Sequence, residues 1–129
     1  MNELVSIVIP VYRAEQYIRE TLDSVRAQTY DRWELLLVAD GKEDPTIPVI
    51  EEYIRKKEEN RIRLLIQEEN KGAALARNRG VKEATGRFIT YLDADDLWKP
   101  EKLQKELNDG KFDSTLSAMN KNDAAKFQQ

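Results

Sequence analysis

The chain has 129 residues, a formal net charge of −3, and neither cysteine nor histidine. That length suits one domain with a real core, and the lack of cysteine excludes disulfides and thiolate metal sites, in keeping with a reducing compartment. Without histidine, chemistry must rest on carboxylates, lysines, tyrosines or a hard cation, and with no basic stripe the chain is expected to bind no nucleic acid.

Residues 4–9 are β-branched and nearly continuous, as in a strand covered on both faces, and Pro10 is expected to end its ladder. The apolar run through Val11 is too short for a signal core or a membrane crossing, and no basic region precedes it. Over residues 14–28 the spacing predicts a helix, with Ile18, Leu22 and Val25 inward and Arg19, Glu20, Asp23 and Arg26 outward. Residues 33–39 read as a second strand. Residues 46–59 read as a helix with Ile47, Ile50, Tyr53 and Ile54 on its stripe, and 62–66 as a third strand. A third helix is expected over 72–85 and a fourth strand over 87–92. Pro100 suits the first turn of a last helix carrying Leu103 and Leu107. Beyond residue 107 the sequence is polar and poorly patterned.

This alternation predicts an α/β fold with about four parallel strands and right-handed crossovers, helices flanking the sheet in three layers. Ligands in such folds sit beyond the carboxyl ends of the strands. Those ends are Pro10-Val11-Tyr12, Asp40-Gly41, Glu68 to Gly72, and Asp93-Ala94-Asp95-Asp96. The last packs three carboxylates into four positions. Like charges that close are tolerable only in water or around a cation, so the cluster points to Mg2+ or Mn2+ held against phosphates. An acidic turn capping the helix near Lys99-Pro100 is the plainer alternative.

The chain carries no Gly-x-x-x-x-Gly-Lys-Ser/Thr after the first strand, which excludes a P-loop, and no Gly-x-Gly-x-x-Gly, which weakens a dinucleotide site. Tyr12 suits packing against a base, or is simply a rim residue. The third helix carries small residues at Gly72, Ala73, Ala74, Ala76, Gly80 and Ala84, so it can lie close to the sheet or to a ligand. Lys71 at its amino end and Arg77 are candidate anion contacts, although Arg77 could equally hold a strand-end carboxylate.

In order along residues 3–107, several motifs resemble the amino-terminal half of the family 2 glycosyltransferases, which have the GT-A fold. They are Val5 to Tyr12, Ser24 to Tyr30 followed by Trp33-Glu34-Leu35, Val38 to Gly41, Asn70-Lys71-Gly72 with Ala76 to Gly80, and Asp93 to Leu103. The resemblance implies inverting transfer of a sugar from a nucleotide-diphosphate donor, a UDP-sugar above all, to a hydroxyl of a saccharide or lipid-linked acceptor. It places Pro10, Tyr12, Asp40, Lys71, Arg77, Asp93, Ala94 and Asp95 at the donor, with Asp40 accepting a hydrogen bond from the base and Tyr12 beside the ring. Asp95 and Asp93 would hold Mg2+ or Mn2+, Asp93 also being suited to the ribose. Residues 1–107 would form the donor-binding domain, and 108–129 a polar tail or the start of an acceptor half. The general base is expected in a later segment, so no catalytic residue is assigned. A cytoplasmic place, at the inner membrane face in a longer protein, and self-association through the uncovered face are further expectations.

Three positions depart from the family pattern: Arg13 stands where asparagine is common, Ala39-Asp40 where aspartates are paired, and Lys42-Glu43 where Ser-Thr is common. Two other classes fit the carboxylates. One is a Mg-dependent phosphoryl-transfer domain of the receiver or haloacid-dehalogenase kind, although those use a nucleophilic aspartate after an early strand. The other is a non-enzymatic nucleotide-binding or assembly module.

Overall fold

The structure, a computed structural model, describes residues 3–114. Its elements are β1 (Val5–Val11), α1 (Ile18–Arg26), β2 (Trp33–Ala39), α2 (Thr46–Lys57), β3 (Ile62–Ile66), α3 (Ala73–Glu83), β4 (Phe88–Tyr91), α4 (Lys102–Asn108) and β5 (Asp113–Ser114). The sheet order is β3-β2-β1-β4-β5. The first four strands are mutually parallel and β5 runs antiparallel to β4. The expected four-stranded parallel core is therefore present. β5 is an addition, formed within the polar stretch that the sequence pattern leaves as a tail or a continuation.

Pro10 does not end the first strand. Pairing with β2 runs on through Pro10↔Val38 and Val11↔Ala39. In an extended strand, successive N–H groups point to opposite neighbours. Val8 faces β4, because its carbonyl accepts the Leu92 N–H at 3.1 Å. Pro10, two residues on, therefore turns its missing N–H towards β4, where the ladder has already ended at Val8↔Tyr91. Two helix starts also differ from expectation. Residues 14–17 form a turn in which the Tyr17 and Ile18 N–H groups both donate to the Ala14 carbonyl, so α1 begins at Ile18. Pro100 lies in the turn before α4, its carbonyl accepting the Thr29 N–H at 2.9 Å.

The two sheet faces are covered unequally. Ile7, Ile9, Leu35 and Leu37 pack against Ile18, Leu22 and Val25 of α1, Ile50 of α2, and Leu103 and Leu107 of α4. On the opposite face Val8, Leu36 and Ile89 meet Val81 of α3. The close approach of α3 depends on Gly80: a Cβ there would lie 2.5 Å from Val8 Cγ1. This is the packing that the small residues of the third helix allow, and it brings the amino end of α3 over the carboxyl ends of β1 and β2.

A charge cluster closes the far end of α2. Glu59, 7% exposed, accepts hydrogen bonds from Arg61 Nε at 2.8 Å, Arg61 Nη2 at 2.9 Å and Arg26 Nε at 3.1 Å. The Arg61 guanidinium also lies 3.8 Å above the Trp33 ring. Chiefly through Arg61, the Glu59 carboxyl is held down to about 2 despite its burial. A depressed carboxyl stabilises the fold fully above its ordinary pKa of 4.5 and loses that contribution as pH falls towards 2. Glu59→Gln is expected to cost about 2–3 kcal/mol at neutral pH. In urea titrations, the gap between wild type and variant should shrink steadily between pH 4.5 and 2.

Candidate functional site

The carboxyl ends of β1, β2 and β4 enclose a cleft of about 310 Å³, whose walls include Pro10, Tyr12, Asp40, Arg77, Asp93, Ala94 and Asp95. A second lobe of about 210 Å³ shares Tyr12, Arg13 and Asp40 with the first and is completed by Gly41, Asp44, Glu68 and Asn70 among others. Seven of the eight sequence-predicted donor residues thus meet in one place; Lys71 is the exception. Its backbone N–H nevertheless meets the site at Asp40. The Lys71 and Gly72 N–H groups donate to the two carboxylate oxygens of Asp40 at 2.7 and 2.8 Å.

Asp40 is 6% exposed and pins the loop that leads into α3. Gly72, with φ +98°, supplies the backbone geometry that aims both N–H groups at it. Each carboxylate oxygen retains a lone pair, and Asp40 borders both lobes.

The turn after β1 is held by residues that sequence reasoning missed. Arg13 has φ +48°, a left-handed conformation unusual outside glycine and asparagine. Its N–H donates to Asp44 Oδ2 at 2.8 Å. The other oxygen of Asp44 accepts the Thr46 N–H at 2.8 Å and its hydroxyl at 2.7 Å, while Thr46 Oγ1 accepts the Ala14 N–H at 2.8 Å. Both Asp44 and Thr46 are buried. The turn therefore presents Tyr12, 56% exposed, to the cleft with Arg13 beside its ring. Asparagine at position 13 would have advertised the left-handed turn; arginine hides it.

The fourth strand end carries the strongest electrostatic feature. Carboxylate oxygens of Asp93, Asp95 and Asp96 all lie within 4.8 Å of one another, and all three residues are exposed. Among the described residues none of the three forms an ion pair, and neither does Arg77. Arg77 lines the cleft without anchoring a carboxylate. Three converging, uncompensated oxygen donors fit a hard divalent cation such as Mg2+ or Mn2+, and no soft ligand competes for it.

A profile of the family described as Glycosyl transferase family 2 matches residues 6–122. UDP-Glc:alpha-D-GlcNAc-diphosphoundecaprenol beta-1,3-glucosyltransferase WfgD of Escherichia coli is 45% identical over 105 residues, which is 81% of this chain and 40% of that protein. The crystal structure of residues 1–349 of S. aureus TarS in complex with UDP-GlcNAc superposes with a TM-score of 0.72 at 30% identity, covering 81% of this chain and 30% of the other. The mannosyltransferase PcManGT from Pyrobaculum calidifontis, in complex with GDP-Man and Mn2+, gives 0.69 at 28% identity over 73% of this chain and 28% of its own. The chain belongs to glycosyl transferase family 2, and its fold is the GT-A fold. It spans about two fifths of the length of the curated relatives it matches. Among the described residues, no helix is long and apolar enough to cross a membrane.

Proposed function

We propose that this chain is the donor-binding part of an inverting glycosyltransferase that takes a nucleotide-diphosphate sugar, most naturally a UDP-sugar, with Mg2+ or Mn2+. The observation that carries the reading is that Asp93 and Asp95 line the same cleft as Tyr12, Asp40 and Arg77 and, without ion-pair partners among the described residues, converge with Asp96 at its edge. The UDP-GlcNAc complex of TarS and the GDP-Man and Mn2+ complex of PcManGT support it by similarity.

Each residue then has a physical task. Tyr12 offers a flat apolar face to the base, and Asp40 offers its remaining lone pairs to a base N–H from the lobe behind it. Arg77 stands on α3, the element whose amino end overlooks the cleft, and its guanidinium suits a phosphate oxygen. Asp95 and Asp93 would hold the cation, and the Asp93 carboxylate is also suited to accept from a ribose hydroxyl. When bound, that cation supplies neutralisation of the charge that grows on the departing nucleoside diphosphate. Residues 1–107 serve donor binding. The base that takes the acceptor's proton belongs to a later segment, with the acceptor a saccharide or lipid-linked hydroxyl met at the cytoplasmic face of a membrane.

Thermal-shift measurements with UDP, GDP, CDP and dTDP, each with and without Mn2+, test the proposal. One nucleotide is expected to stabilise the protein only when manganese is present. At a hundredfold excess over Kd the gain is about 2.7 kcal/mol, on the order of 10 °C for a domain this size. No shift with any of the four would refute the donor-binding reading.

A further inference from the structure

The acidic strand end does not stand alone; a polar stripe on α1 grips the chain that carries it. Thr21 Oγ1 donates to the Ala94 carbonyl at 2.8 Å, and Ser24 Oγ accepts the Trp98 N–H at 3.2 Å. The Gln28 side-chain amide donates to the Lys99 carbonyl at 2.8 Å and accepts the Leu103 N–H at 3.1 Å. Spacings of three and four residues place the three side chains along one line of α1 and its continuation. Thr21 is fully buried and Gln28 is 7% exposed. The Thr21 hydroxyl also lies 3.3 Å from its own helix's Tyr17 carbonyl. The contact with Ala94 is shorter by half an ångström, so the bond across 73 residues of sequence dominates.

Ala94 is the residue between Asp93 and Asp95. Its carbonyl orientation sets where the following peptide lies, and hence where the Asp95 side chain projects relative to that of Asp93. Left alone, two carboxylates so near would repel, and the loop would relax to separate them. We propose that Thr21 is a positioning residue that locks the backbone between the two aspartates, so that their oxygens stay convergent before any cation arrives. A cation then binds a site already assembled and is spared the cost of closing it against repulsion. Ser24 and Gln28 hold the downstream half of the same segment. The inference rests on the donor-binding reading above, but concerns a residue outside the acidic motif.

Thr21→Val keeps the shape of the side chain and removes its hydroxyl. The test follows UDP-dependent thermal shift as manganese is titrated, in wild type, Thr21→Val and Thr21→Ser. Thr21→Val is expected to raise the half-saturating manganese concentration on the order of tenfold, equivalent to about 1.4 kcal/mol. Thr21→Ser should return it to within about twofold of wild type, because the hydroxyl is restored. A purely structural role would lower the melting temperature and leave manganese half-saturation where it was. A folded Thr21→Val protein with wild-type manganese dependence overturns the proposal while leaving the donor reading intact. Should Thr21→Val not fold, Thr21→Ala, which also removes the hydroxyl, carries the same expectation, and an unchanged manganese dependence there overturns the proposal equally. A wild-type protein that responds to no nucleotide with manganese removes the donor reading, and this inference falls with it.

Discussion

Replacing Asp95 with alanine is expected to abolish manganese-dependent stabilisation by UDP and to weaken UDP binding on the order of 100-fold. The size follows from what remains. With Asp95 gone, Asp93 and Asp96 keep a weaker hold on a cation, and the diphosphate meets an acidic corner whose charge is no longer offset. The fold should hardly notice. Asp95 is exposed, and relief of repulsion with its two neighbours leaves stability within about 0.5 kcal/mol of wild type. Isothermal titration with UDP and Mn2+, beside a melting curve without either, separates the two effects. Lost binding in a protein that melts normally is the expected pair of results; an unchanged Kd would place the cation elsewhere.

Gly86→Ala should act in the opposite way, destroying the scaffold while touching nothing in the cleft. A Cβ at position 86 would lie 2.7 Å from the Leu4 carbonyl oxygen, 2.8 Å from Ser6 N and 2.6 Å from Ser6 Oγ. Two of those atoms are backbone, so no rotamer relieves the clash, and β1 and the start of β4 must separate. The Gly86 N–H also donates to Ser6 Oγ at 2.8 Å, and Ser6 in turn donates to Glu34, which accepts from the Thr85 N–H and hydroxyl. The expected cost is about 3 kcal/mol or more. Gly80→Ala makes a useful contrast. The atoms nearest its added methyl are side-chain carbons of Val8 and Val38, and alanine's better helix propensity returns about 1 kcal/mol. A smaller loss is therefore expected there. Urea denaturation of both variants checks the order, and a mild Gly86→Ala phenotype would mean that the strand ends are looser than the packing implies.

Most of the scaffold is legible because its signals are local. The bounds of β2 and β3 coincide with their largely apolar runs, and the small residues of α3 announced its nearness to the sheet. The acidic cluster after β4 and Asp40 after β2 were visible because parallel topology sends strand ends to one place. What escaped depends on distant partners. Whether Pro10 breaks a strand turns on where β4 stops, a fact written some 80 residues later. Thr21 and Gln28 look like ordinary helix residues until the chain after β4 comes to rest against them. Asp44 reads as part of a loop and Thr46 as an ordinary helix start, although together they fix the Arg13 turn. Lys71 drew attention through its ammonium, and its backbone N–H on Asp40 was not legible. Side-chain chemistry can be read from a sequence; the orientation of a peptide group cannot.

The central claim is that a divalent cation on Asp95 and Asp93 tethers the donor's diphosphate. Crystals grown with UDP and Mn2+, measured for anomalous scattering at the manganese edge, address it directly. The expected result is a single strong peak within coordination distance of an Asp95 carboxylate oxygen, bridging to the phosphates of UDP seated beside Tyr12 and Asp40. Ordered UDP in the cleft with no manganese at those aspartates, or manganese bound at a distance from the nucleotide, would contradict it.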